Sequence, residues 1–272
     1  MMGNLGRRVV TALILAGLFL AALFLLPPLL FTLLIGLVVL LGGWEWAQLP
    51  QPTGRLAGPL LGLALLVLGG LVWLGDQRPL LAQLGALFWL LAAVAVLSFP
   101  RGTRFWRQPL VHGVAGIAVL LPAWAALSWL QAQPAGAWFI VWTLLIVVAT
   151  DVGGYFAGRA LGRHKLAPRV SPGKTLEGLA GGLLLAGLVS LAVFLAGGRE
   201  LVEPVWAVLL TLLLVAAAVF GDLFESLVKR VAGVKDSGTL LPGHGGLLDR
   251  FDAATAALPV AAALVIWFGA GV

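Results

Sequence analysis

The run V-V-T-A-L-I-L-A-G-L-F-L-A-A-L-F-L-L-P-P-L-L-F-T-L-L-I-G-L-V-V-L-L-G-G-W-E-W, residues 9 to 46, contains one acid and no base. On either side of Pro27-Pro28 the apolar stretch is about long enough to cross the hydrocarbon layer, which takes about 20 helical residues. Proline removes a helical hydrogen bond and clashes with the preceding turn, so the run reads as two spans joined at the proline pair. The same reading carried along the chain predicts nine spans, near 9–26, 29–48, 56–75, 79–98, 110–130, 136–158, 175–197, 203–225 and 254–271. The expected fold class is all-α: a polytopic integral membrane protein forming a single membrane domain over 1–272. Its first half, 1–150, is mostly apolar, and 151–272 carries the polar helices and loops.

Composition excludes a soluble globule. The chain is 61% hydrophobic and 10% charged, where soluble proteins carry roughly 25% charge. With no cysteine, disulfides, thiolate metal sites and thiol nucleophiles are excluded, and any metal must be held by oxygen or nitrogen. The net charge of +6 is what cytoplasmic loops beside anionic lipid require, and no nucleic-acid partner is expected. With the N-terminus inside, 15 of the 17 basic residues fall on inner segments, and only Arg78 and Arg199 fall outside. Merging the first two spans would strand Arg7 and Arg8 on the outer face, so the positive-inside tendency supports nine spans, N-in and C-out. Arg7-Arg8 followed by an apolar run is similar to a signal peptide, but no A-x-A-like site precedes Pro27-Pro28, and the first span is read as retained. Trp44, Trp46, Trp73, Trp106, Trp129 and Trp138 lie near predicted helix ends, as an interfacial aromatic belt would place them.

The chemistry concentrates in the second half, because nine of the eleven acids lie between 151 and 252. In G-D-L-F-E-S-L-V-K-R, residues 221–230, Asp222, Glu225, Ser226, Lys229 and Arg230 recur at helical spacing and share one face. A charge at membrane depth costs about 2.5–3.5 kcal/mol, so such groups face a protein interior or a wet cavity. A structural ion pair of Asp222 or Glu225 with a nearby base is the plain alternative. Downstream lies K-D-S-G-T-L-L-P-G-H-G-G-L-L-D-R-F-D, Lys235 to Asp252. Its glycines allow backbone N–H groups to approach an anion, with Lys235 and Arg250 adding positive charge, although Gly and Pro also serve as ordinary turn residues. Asp222 and Asp249, from two helices, can meet at one cavity and hold Mg²⁺, which typically takes one or two carboxylates plus substrate phosphates.

A third segment, D-V-G-G-Y-F-A-G-R-A-L-G-R-H-K-L-A-P-R-V-S-P-G-K-T-L-E-G, spans 151–178. Gly154 and Gly158 would let another helix approach closely; such glycine-rich faces also allow a homodimer. Asp151 either completes the polar cavity or pairs with Arg159 or Lys174. Ser171, Lys174 and Thr175 are expected to open the next span, where free N–H groups favour phosphate oxygens, unless Ser171 or Thr175 is a simple N-cap. The G-x-x-x-x-G-K-[ST] nucleotide loop is absent.

Residues 226–252, S-L-V-K-R-V-A-G-V-K-D-S-G-T-L-L-P-G-H-G-G-L-L-D-R-F-D, closely resemble the signature of bacterial phosphatidate cytidylyltransferases, the CDP-diacylglycerol synthases. Residues 151–178 resemble the second polar segment of that family, departing at Gly173, where a lysine is common, and at Leu176, where an aromatic is common. The resemblance implies transfer of a cytidylyl group from CTP to phosphatidic acid at the cytoplasmic face of the bacterial inner membrane, giving CDP-diacylglycerol and pyrophosphate. It implies Mg²⁺, with room for a second cation, held by Asp222 and Asp249, and Lys229 and Arg230 as catalytic partners. It further implies substrate contacts from Ser226, Lys235, Asp236, His244, Gly245, Gly246, Arg250, Ser171, Lys174 and Thr175. His244 either donates a proton or hydrogen bond or fixes the loop beside Gly245-Gly246. His112 and His164 are weaker candidates. Arg101, Arg104 and Arg107 either attract anionic lipid or merely set topology, and Glu45 either sits at the interface or reaches the cavity. Two competing classes are a CTP-dependent lipid-alcohol kinase, distinguished by its products, and a transporter, whose acids would favour the bilayer midplane.

Overall fold

The computed structural model describes residues 4–49, 56–200, 202–238 and 246–268. Its helices in chain order are α1 (Asn4–Leu25), α2 (Pro28–Gln48), α3 (Ala57–Leu74), α4 (Arg78–Ser98), the single turn α5 (Thr103–Trp106), α6 (Pro109–Gln131), α7 (Gly136–Leu161), α8 (Leu176–Ala196), α9 (Pro204–Ala232) and α10 (Leu248–Phe268). Eight of them are long and apolar enough to span a membrane, and α1 adds a shorter apolar stretch, Leu13–Leu25. The all-α membrane class is therefore borne out. Pro27-Pro28 separates α1 from α2 as expected, with Pro28 at the first helical position, where its missing N–H costs nothing.

Burial is uneven in the way a lipid-immersed bundle requires. α6 and α10 are the most enclosed helices, whereas α3 and α8 turn most of their side chains outward. Pro122 of α6 and Pro259 of α10 both pack against Gly85 of α4, where no side chain intervenes. Between helices in lipid the hydrophobic drive is weak, so close packing and hydrogen bonds hold the bundle together. Accordingly Trp142 of α7 donates to Ser190 Oγ of α8 at 3.0 Å, and Thr211 of α9 donates to the same oxygen at 2.6 Å.

The glycine-rich crossing appears where the sequence placed it, between α7 and α8. A β-carbon at Gly178 would lie 2.9 Å from the carbonyl oxygen of Gly154, and one at Gly182 would lie 2.7 Å from that of Thr150. The face bearing Gly154 and Gly158 is thus covered by a helix of the same chain, and any second copy would have to dock elsewhere.

Long-range contacts sort the helix ends. Gln131, closing α6, donates to Leu23 and Leu26 at the end of α1, and Trp267 near the end of α10 donates to Gln83 in the first turns of α4. The opposite end of the bundle gathers the C-terminal ends of α2, α4, α7 and α9 and the starts of α6, α8 and α10. The described parts of the polar segments of the second half lie there.

Three boundaries differ from expectation. α9 continues through the charged stripe to Ala232 and stops at Gly233, whose φ of +76° and N–H bonds to Lys229 and Arg230 carbonyls form its cap. α10 begins at Leu248, six residues earlier than expected, because Asp249 and Asp252 find polar partners and need not lie outside the helix. The segment expected to open α8 is instead a two-stranded antiparallel hairpin, β1 (Lys165–Ala167) with β2 (Ser171–Thr175).

Candidate active site

The hairpin changes the part played by Ser171, Lys174 and Thr175. Ser171 pairs with Ala167 in the ladder, so it is neither at a helix start nor a cap. Thr175 is the N-cap of α8: its hydroxyl accepts from Gly178 N at 3.0 Å. The plain capping alternative therefore describes Thr175, and the expectation that Ser171 and Lys174 open α8 is corrected. Lys174, lifted off the helix by the strand, reaches across to α9 and places its ammonium 2.5 Å from Asp222 Oδ2. Glu177 ties the base of the hairpin, accepting from Arg163 N at 3.0 Å and contacting His164 Nδ1 at 2.6 Å. From α9, Arg230 Nε donates to Val170 O at 3.2 Å, fastening the hairpin from the other side.

On α9 the stripe divides. Asp222 faces Lys174 and accepts weakly from Ser226 Oγ at 3.4 Å. One turn on, Glu225 is 4% exposed and its Oε2 lies 3.0 Å from Lys229 Nζ. The same ammonium lies 2.6 Å from Asp249 Oδ1 on α10. Asp249 Oδ2 also accepts from Ser237 N at 3.0 Å and from Gly246 N at 2.9 Å. Asp249 is thus a junction, joining α9, the start of α10 and the stems on both sides of the glycine-rich segment. Its partners Lys229 and Ser237 stand 20 and 12 positions away, pairings that sequence spacing does not give.

Asp222 and Asp249 anchor two polar clusters, each held by its own lysine, which Glu225 and Asp252 join electrostatically into one network. The network includes Asp252, close enough to feel the charges of Asp222 and Glu225, and Asp151 of α7, within electrostatic reach of Asp222 and Lys174. Arg159, the other base considered for Asp151, turns to the Tyr155 hydroxyl at 2.9 Å. Among the described residues five carboxylates and two ammonium groups thus gather at this end of the bundle, a set of oxygen donors that suits a hard cation. Among the described residues no three His, Asp or Glu side chains converge on one point. An all-protein cage is absent from that set, but Mg²⁺ typically needs only one or two carboxylates, with phosphates and water completing its six positions. The oxygen-only donor set fits Mg²⁺.

Arg250 and the stem residues Lys235 and Asp236 are exposed beside this cluster. Arg55, Pro242, Gly243, His244 and Gly245 lie outside the described residues. His112 and His164 are structural: His112 Nε2 lies 2.8 Å from Trp46 O while Trp46 Nε1 donates to His112 O at 2.9 Å, locking α2 to α6. Arg101, Arg104 and Arg107 stay exposed around α5, and Trp106 between them packs edge-on against Phe224, one residue from Glu225. Glu45 is the residue that sequence reasoning weighed too lightly. It is 3% exposed and accepts from Leu248 N at 3.0 Å.

Residues 6–268 match the model of the cytidylyltransferase family. The chain is 43% identical over 264 residues to the phosphatidate cytidylyltransferase of Pseudomonas aeruginosa, covering 96% of this chain and 97% of the other. It is 39% identical to that of Haemophilus influenzae, covering 94% and 96% respectively. A third relative of the same description, from Brucella suis, is 38% identical across 99% of this chain and 94% of its own length. Matched over nearly its whole length by the family's model and by these relatives, the chain belongs to the cytidylyltransferase family.

Proposed function

We propose that this protein is a phosphatidate cytidylyltransferase of a bacterial inner membrane, with its site opening to the cytoplasm. It transfers the cytidylyl group of CTP to phosphatidic acid, producing CDP-diacylglycerol and pyrophosphate. The observation that carries the reading is the position of the network: carboxylates and lysines from α9, α10 and the hairpin meet at one end of a lipid-facing bundle. A lipid headgroup and a water-soluble nucleotide can meet only at such a depth. A transporter would more naturally hold its charges near the midplane.

The chemistry asks little of a general base. A phosphate monoester has a second pKa of about 6, so the phosphatidate oxygen is largely ionised at neutral pH. That oxygen attacks the α-phosphorus of CTP, and the bond from the α-phosphorus to the oxygen bridging to the β-phosphorus breaks, releasing pyrophosphate. Positioning and charge neutralisation then dominate the barrier. Lys174 and Lys229, each already beside a carboxylate, are placed to hand their ammonium groups to phosphate oxygens without crossing the site. Arg230, Lys235 and Arg250 add positive charge at the rim, with Ser226 and Asp236 beside them; Gly246 offers its backbone close to Asp249. Asp222 and Asp249 would hold Mg²⁺, and Asp252 and Asp151 would be the acids left for a second cation. When bound, the divalent ion supplies charge neutralisation for the triphosphate and the departing pyrophosphate.

The test is product analysis with purified protein in detergent. With Mg²⁺, phosphatidic acid and CTP labelled in the cytidine, label should enter the lipid and pyrophosphate should appear in equal amount. Formation of CDP with an unlabelled phospholipid would point to the kinase instead.

A further inference from the structure

Among the described residues of the apolar first half, Glu45 is a buried acid at the site end of the bundle. Its carboxylate sits near the C-terminal end of α2, 203 positions from the Leu248 amide that it accepts at 3.0 Å. Leu248 is the first residue of α10, whose opening N–H groups need acceptors and favour negative charge. The same carboxylate is walled by two glycines. A β-carbon at Gly246 would lie 2.9 Å from Glu45 Oε2, and one at Gly238 would lie 2.8 Å from Glu45 Cδ. These glycines flank the segment 239–245, so both stems abut one side chain. Ser237 and Gly246 also donate to Asp249, so the two stems are fixed between two carboxylates, Glu45 behind and Asp249 in front.

Glu45 is itself held rigidly. Its neighbour Trp46 is locked to His112 by reciprocal hydrogen bonds and by ring stacking at 5.2 Å. Within the described residues Glu45 Oε1 has no hydrogen-bond partner. A buried carboxylate with only part of its hydrogen-bonding capacity used is costly, and a purely apolar contact would hold α2 against α10 at lower cost.

We propose that Glu45 is a positioning residue of the cytidylyl transfer, setting the distance between the two stems and thereby the placement of Asp249. The proposal rests on reading Asp249 as part of the working site. Glu45 touches neither substrate nor metal; it acts through Leu248, Gly238 and Gly246.

The experiment compares Glu45→Ala and Glu45→Gln in the full chain, measuring kcat, the KM values for CTP and phosphatidic acid, and thermal unfolding in detergent. Glutamine keeps an oxygen for the Leu248 amide and places its NH₂ where Oε1 lies. Displacing a reacting geometry by an ångström costs on the order of 10²-fold, so Glu45→Ala should lower kcat by about 10–100-fold with KM for phosphatidic acid little changed. Glu45→Gln should recover most of that loss. A Glu45→Ala enzyme with wild-type kcat, or a glutamine variant as impaired as the alanine one, would overturn the proposal. Should Glu45→Ala fail to fold, Gly246→Ala addresses the same contact from the opposite side, because its methyl would press on Ser237 Oγ and Glu45 Oε2. It should lower kcat while Glu45→Gln stays active, and wild-type kcat in Gly246→Ala would equally overturn the proposal. Asp249→Asn run in parallel separates the two readings: activity retained there removes Asp249 from the site, whatever Glu45 does.

Discussion

At the scale of single residues, the site works by sharing a few charges among many partners. Asp249 receives one ammonium and two backbone N–H groups through two oxygens. An amide at this position would turn one of those oxygens into a donor facing donors. Asp249→Asn is therefore expected to lower activity by about 10²-fold or more, read as label entering CDP-diacylglycerol, because both charge and placement fail together. Trp142 illustrates a residue whose work is purely structural. Its indole donates to a buried serine that also receives Thr211. Trp142→Phe should cost about 1 kcal/mol, seen in detergent unfolding, and should leave kcat unaltered.

At the scale of elements, the hairpin between α7 and α8 decides where Lys174 lies. Its strands are short, and two partners pin it: Glu177 at the base and Arg230 from α9. Removing the pin without touching the lysine should show what placement contributes. Glu177→Ala is expected to raise the KM for CTP by roughly tenfold, with a smaller effect on unfolding temperature, since the misplaced ammonium sits at a reacting site. The α7–α8 crossing behaves in the opposite manner. The backbones touch at Gly178 and Gly182, and a large side chain would force the helices apart. Gly182→Leu should destabilise the protein by about 1–3 kcal/mol or more, measured by thermal unfolding, and should reduce activity only through loss of folded protein.

At the scale of the whole molecule, the packed helices bring the described polar segments to one end of the bundle. The chain lacks cysteine, so single cysteines can be introduced into an already silent background. Arg101→Cys and Arg169→Cys should react with a membrane-impermeant thiol reagent only after the cytoplasmic side is opened. Gln77→Cys and Gln133→Cys should react in intact cells. Labelling of Arg169→Cys from outside would reverse the orientation inferred from the positive charges.

The helical membrane bundle was legible because crossing a hydrocarbon layer imposes length and polarity on every segment separately; of the nine spans expected, eight helices are long and apolar enough to cross and α1 adds a shorter apolar stretch. The stripe from Asp222 to Arg230 was legible for a similar local reason, since residues three and four apart on a helix share a face. The hairpin was not, because strands of three and five residues are too short to show a periodicity. Nor could one dimension reveal which lysine meets which aspartate: Lys174 finds Asp222 48 positions away, and Lys229 finds Asp249 20 positions away. Glu45 is the extreme case, its acid visible between two tryptophans but its partner 203 positions off. Membrane crossing is a constraint each segment meets alone, whereas pairing of buried charges depends on which helix ends arrive together, and only the packed bundle decides that.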